Sequence, residues 1–193
     1  ANTYQGTTSV NAGTQVDGLL TRVGGTLVAR NAGVLGTNNA LVNEGATLTL
    51  NNSAANVNRI ADAATLDLRG VLNLIGNSAG TTELVGATTV NVVNNGGPTP
   101  KINVDSSAGG VTELQLASLV RGGSATIEFE GTGANLGSAT NSRIQVVGGT
   151  SPFVNNVMTW ATMRGPAGLD LVTEADAAGA PFYLGRVTTY STD

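Results

Sequence analysis

A four-residue motif, polar, aliphatic, polar, aliphatic, recurs along this chain. It stands at Thr47-Leu48-Thr49-Leu50, Thr65-Leu66-Asp67-Leu68, Thr89-Val90-Asn91-Val92, Lys101-Ile102-Asn103-Val104 and Glu113-Leu114-Gln115-Leu116. It returns at Thr126-Ile127-Glu128-Phe129 and Arg143-Ile144-Gln145-Val146, with Val71-Leu72-Asn73-Leu74 as a variant. Period-two alternation predicts short strands with one face buried and one in water. Gly70, Gly76, Asn94 and Gly131 follow within a few residues. Such residues supply the positive φ of tight corners. No long amphipathic helical pattern interrupts the series.

The spacing selects the architecture. The first aliphatic positions are 48, 66, 72, 90, 102, 114, 127 and 144. Strands of four or five residues whose spacings build up to about 18 to 24 fit one coil of a solenoid, which buries its aliphatic row only when a neighbour stacks on it. The expected fold is an all-β right-handed parallel β-helix of roughly eight to ten coils. At about 4.8 Å per coil the rod would be some 40 to 50 Å long. A left-handed hexapeptide β-helix is an alternative, since a row runs Val42, Leu48, Ala54, Ile60, Leu66, Leu72. Its small-residue positions, however, hold Asn52 and Asn58, and the register drifts after Leu116. A β-sandwich is the other alternative, disfavoured by few aromatics and short strands. Residues 1–193 read as one β-helical domain, with 151–193 as distinct terminal coils.

Composition narrows the function. Charged residues are 11% of the chain, against about 25% in average soluble proteins. Hydrophobic residues reach 40%, enough for a core, yet no apolar run approaches the ~18 residues of a spanning helix. Cysteine and histidine are absent. That removes most zinc, copper and haem ligand sets and the His-dependent nucleophilic triads. A chain without thiols suits export in an unfolded state. With one lysine, Lys101, scattered arginines and a net charge of -4, the clustered basic footprint of a nucleic-acid binder is missing. The opening Ala1-Asn2-Thr3-Tyr4 is not a signal peptide and reads as the start of a mature product or of a piece of something longer.

The segment Asn2-Thr3-Tyr4-Gln5-Gly6-Thr7-Thr8-Ser9-Val10-Asn11-Ala12-Gly13-Thr14 resembles the signature of autotransporter-associated β-strand repeats. Asn51-Asn52-Ser53, Arg59 to Leu68, Gly76-Asn77-Ser78 and Phe129 to Gly137 are similar to a longer module of the same proteins. The resemblance implies right-handed β-helical passengers of large exported bacterial proteins, secreted or displayed at the cell surface, with stalk-like repeats and no catalytic activity. The family's C-terminal membrane barrel and its near-identical tandem copies have no counterpart in this chain.

Candidate chemistry is sparse. No catalytic, cofactor-binding or metal site is assigned, and no cofactor is expected. A polysaccharide lyase or hydrolase would gather acidic and basic residues on one face; Asp62 and Asp67 with Arg59 and Arg69 come nearest and read as a surface ion-pair group. Glu128 and Glu130 share the outward face of one strand and could chelate Ca²⁺, but a solvated face is the simpler reading. Phe153, Met158, Trp160, Met163, Phe182, Tyr183 and Tyr190 concentrate in the last segment. They fit a cover over the end of the core better than a sugar-stacking platform. Trp160 to Met163, Asp170 to Thr173 and Thr188 to Ser191 read as strands. Neither end shows a capping helix. Thr7 to Val10 and Arg186 to Ser191 therefore read as open strands, and end-to-end stacking on copies of the chain or on adjoining repeats is expected. An adhesin that binds surface glycans is the alternative function.

Overall fold

The computed structural model describes residues 6–11, 13–16, 20–23, 25–36, 38–92, 97–137, 142–175 and 181–187. Among them there is no helix, and the strands wind into a parallel β-solenoid of about five turns. One ladder runs in the order β1 (Thr7–Val10), β5 (Asn39–Val42), β7 (Thr65–Leu68), β9 (Thr81–Val90), β11 (Thr112–Arg121) and β13 (Arg143–Val146). Another stacks β4 (Thr26–Ala29), β6 (Thr47–Asn51), β8 (Val71–Ile75), β10 (Lys101–Asp105), β12 (Ile127–Thr132) and β14 (Val157–Gly165). All these neighbours pair in parallel, which excludes a sandwich of antiparallel hairpins. β2 (Gly13–Val16) and β3 (Leu20–Val23) form a separate antiparallel hairpin.

The alternation acts as expected. Through the strand register, Leu48, Leu72, Ile102, Phe129 and Met163 stack in one inward row, each at most 1% exposed. Leu66, Leu68, Leu114 and Leu116 are buried as well, while Thr65 lies outside. All eight motifs fall on strands. Two run short: β12 begins at Ile127, one residue after Thr126, and β9 ends at Val90, with Val92 turned out to solvent.

The coils are longer and fewer than the spacing suggests. Partners in successive coils lie from 21 positions apart, Ala29 with Leu50, to 34, Phe129 with Met163. Loops such as 52–59 and 106–111 lengthen each turn, so the rod is nearer 25 Å than 50 Å at about 4.8 Å per coil. β9 and β11 bend midway: their first halves join β13 on a third side, and their second halves continue the β7 side. A Cβ on Gly86, at the bend, would lie 2.7 Å from the Ala64 carbonyl oxygen. Gly70 is similar, with a would-be Cβ 2.3 Å from the Ala46 oxygen. The positive-φ role expected of Gly70, Gly76 and Gly131 is thus replaced by close approach, of neighbouring backbone at Gly70 and Gly131 and of the Thr112 side chain at Gly76. Positive φ falls instead at glycines such as Gly45 and Gly80. Asn94 lies outside the described residues.

The C-terminal end departs most from expectation. β15 (Gly168–Glu174) pairs antiparallel with β14, and β16 (Phe182–Arg186) pairs antiparallel with both β15 and β13. The two stacks are thereby joined into one 14-stranded sheet whose order ends at β1 and β4. Arg186 lies in this paired strand and not in an open one, and 188–191 lie outside the described residues. Phe153 packs edge-on against Phe182 with ring centres 6.3 Å apart, and Phe153 and Trp160 lean on the core. Met158, Met163 and Phe182 are buried in the core at this end, and Tyr190 lies outside the described residues.

Candidate functional site

The Asp62, Asp67, Arg59 and Arg69 group does not assemble. Asp67 pairs with Arg69 at 3.1 Å and accepts from Asn91, while Asp62 accepts from Asn58. Arg59 is fully buried. Its Nε donates to Asn52 Oδ1 at 2.8 Å, and its terminal nitrogens donate to the carbonyls of Asn31, Gly33 and Ala55.

Glu83 is the partner the pattern conceals. It occupies an inward row whose next members are Leu114 and Ile144, and it is 1% exposed. Its carboxylate accepts the backbone N–H of Arg59 and of Ile60, with Oε1 at 2.8 and 2.9 Å. The N–H of Leu35 in turn donates to the Arg59 carbonyl. On this third side the strand ladder shrinks to a single bridge, Leu35 with Ile60. Glu83 therefore supplies from its side chain the acceptors that a neighbouring strand would supply from its backbone. Read as Thr-Glu-Leu-Val, residues 82–85 invite the assignment of Leu84 inward; the structure turns Glu83 in and leaves Leu84 half-buried.

Burial pushes the Glu83 carboxyl up to about 7, against the opposing pull of the Ile60 and Arg59 N–H groups, Asn52 and the Arg59 charge. Burial also lowers the Arg59 guanidinium, opposed by Glu83. A folded pKa raised above the unfolded one means that the native state binds the proton more tightly. The stability so gained is full below the ordinary value of 4.5 and is lost as pH rises to about 7. With no histidine in the chain, the window between pH 5 and pH 8 is dominated by this group. The melting temperature is expected to fall from pH 5 to pH 8, and Glu83→Gln is expected to flatten that slope. A flat wild-type profile in a calorimetric pH series would contradict the assignment.

Glu128 and Glu130 share Lys101, whose Nζ lies 2.8 Å from an oxygen of each; Arg164 completes the row on Glu128 at 3.3 Å. Burial works against both charged forms, yet these bonds hold Lys101 above its ordinary value and Glu128 below its own. The carboxylates are thus held by cations of adjacent coils. Among the described residues no group of three or more acidic side chains could hold a metal ion.

Two grooves stand out on the flanks of the solenoid. One, of about 520 Å³, is lined by Asn56, Asn58, Thr82, Glu113 and Arg143 among others. Its polar groups are largely engaged with one another or with nearby backbone. Arg143 pairs with Glu113, Gln115 donates to Glu113, Asn56 donates to the Gly80 carbonyl, and Arg143 lies 5.8 Å from the Tyr183 ring centre. The other, of about 500 Å³, runs between 118–121 and 149–152 and includes Trp160.

These features define a parallel β-solenoid with a polar tie inside its core and an ion-pair row outside it. No protein family, curated protein or solved structure matches the chain.

Proposed function

We propose that this chain is a non-catalytic structural segment of an extracellular bacterial filament, sheath or surface stalk, and that it stacks on adjoining repeats or on a copy of itself. The observation that carries the reading is the asymmetry of one core row. Met163, at its C-terminal end, is fully buried beneath β15, whereas Leu27, at its other end, is only partly buried. A further coil laid on β4 would complete the row and extend its ladder, which is how solenoid repeats gain stability from neighbours. The other end is closed by β15 and β16. Stacking is therefore directed to the β4 end, and the two-ended, open-filament geometry expected from sequence gives way to one-ended docking. The resemblance of residues 2–14 to autotransporter-associated repeats supports an exported setting.

Sedimentation velocity at rising concentration tests the reading. Association is expected, resistant to salt because the contact is backbone pairing and apolar burial, and abolished by Leu27→Arg. A monomer at every concentration, with the amides of β4 as protected from hydrogen exchange as those of β8, would refute it.

A further inference from the structure

We infer that the groove holding Trp160 is a binding site for an acidic saccharide. This is independent of stacking, since the groove lies beside β11 and β14 and not at the β4 end. Three observations converge. Trp160 is the chain's sole tryptophan. It lines the groove while only partly covered, and its indole N–H makes no hydrogen bond among the described residues. A pyranose ring offers an apolar C–H face to such an indole and hydroxyls to its N–H.

Arg121 is aimed and unspent. Its Nε donates to the Ala125 carbonyl at 2.7 Å, which fixes the guanidinium, and its terminal nitrogens bond to nothing among the described residues. A guanidinium held in this way presents a fork that matches a carboxylate. No acidic residue is among those that line the groove. Finally, Ser118, Thr150 and Ser151 line the same space beside the exposed Val120, giving the mixture of apolar surface and a few polar groups that small-ligand sites show. The 520 Å³ groove lacks this character because Glu113 already holds its arginine. A hexuronate, with a pyranose for Trp160 and a carboxylate for Arg121, satisfies both groups at once.

Trp160 also provides the measurement, because all indole emission comes from the groove. The full chain would be titrated with a galacturonate trisaccharide and with the neutral galactose trisaccharide, followed by emission and by calorimetry. A saturable change with the uronate is expected, at least tenfold weaker with the neutral sugar. Arg121→Gln should weaken uronate binding at least tenfold. Thr150→Tyr, an exposed change that fills the groove, should abolish it without altering the melting temperature. No saturable response at millimolar uronate, equal affinity for both sugars, or unchanged affinity in Arg121→Gln would each overturn the assignment.

Discussion

Arg59→Ala is expected to destabilise the protein by about 3–5 kcal/mol, because a fully buried side chain is lost together with the four hydrogen bonds its guanidinium donates. The substitution removes the donor to the Asn31, Gly33 and Ala55 carbonyls, and it leaves Asn52 Oδ1 with only the Val57 N–H. It also removes the one cation that offsets Glu83, so the carboxyl should titrate still higher. An isolated buried ion pair can often be exchanged for apolar residues at little or no cost. Arg59 and Glu83 should not be exchangeable in this way, because their side chains are tied to backbone groups and not to each other. Glu83 serves two backbone N–H groups and Arg59 serves three backbone carbonyls, and neither set disappears when the side chains do. The double variant Arg59→Met/Glu83→Leu should remain well below wild type in urea melts, even though its new leucine would match Leu114 and Ile144 in the row. A double variant as stable as wild type would show that the two residues act only on each other.

The contrast between what the sequence discloses and what it hides follows from period two. Alternation identifies a strand and its inward face wherever the inward residues are aliphatic, and so Leu48, Leu72, Ile102 and Leu116 can be placed from the motif alone. It misleads where the inward residue is charged. Glu83 and Arg59 compensate one another across 24 positions, a pairing that no local pattern encodes. The same limit applies at the C-terminal end. The strand character of Trp160 to Met163 and Asp170 to Thr173 is legible, but the reversal that sets β15 antiparallel to β14 depends on the turn at Gly168, where φ is 107°. Coil number is hidden for a simpler reason. The motifs mark strands and not the loops between them, so the length that 52–59 and 106–111 add to each turn goes unseen. At the surface, the spacing sets Glu128 and Glu130 side by side, but it cannot supply the register that brings Lys101 opposite Glu128.

Leu→Ala at Leu66, Leu68, Leu114 or Leu116 is expected to cost roughly 2–5 kcal/mol, the transfer term plus the cavity left in a stack that cannot collapse. Thr65→Ala and Gln115→Ala, on the outward face, should each cost less than about 1 kcal/mol. Equal sensitivity of the two sets in urea melts would contradict the alternation that defines the fold. Within the buried set, Leu114 should behave differently from Leu116. Leu116 sits between Val85 and Val146, whereas Leu114 sits between Glu83 and Ile144. A cavity at Leu116 has apolar walls and stays dry. A cavity at Leu114 has a carboxylate on one side, and water entering it would relieve the burial that raises the Glu83 pKa. Hydration of the charged form returns the folded pKa toward 4.5 and so removes a penalty borne only above that value. The cost of Leu114→Ala should therefore be smaller at pH 8 than at pH 5, while the cost of Leu116→Ala should be the same at both. Parallel pH profiles for the two variants would mean that water does not reach Glu83 through this cavity.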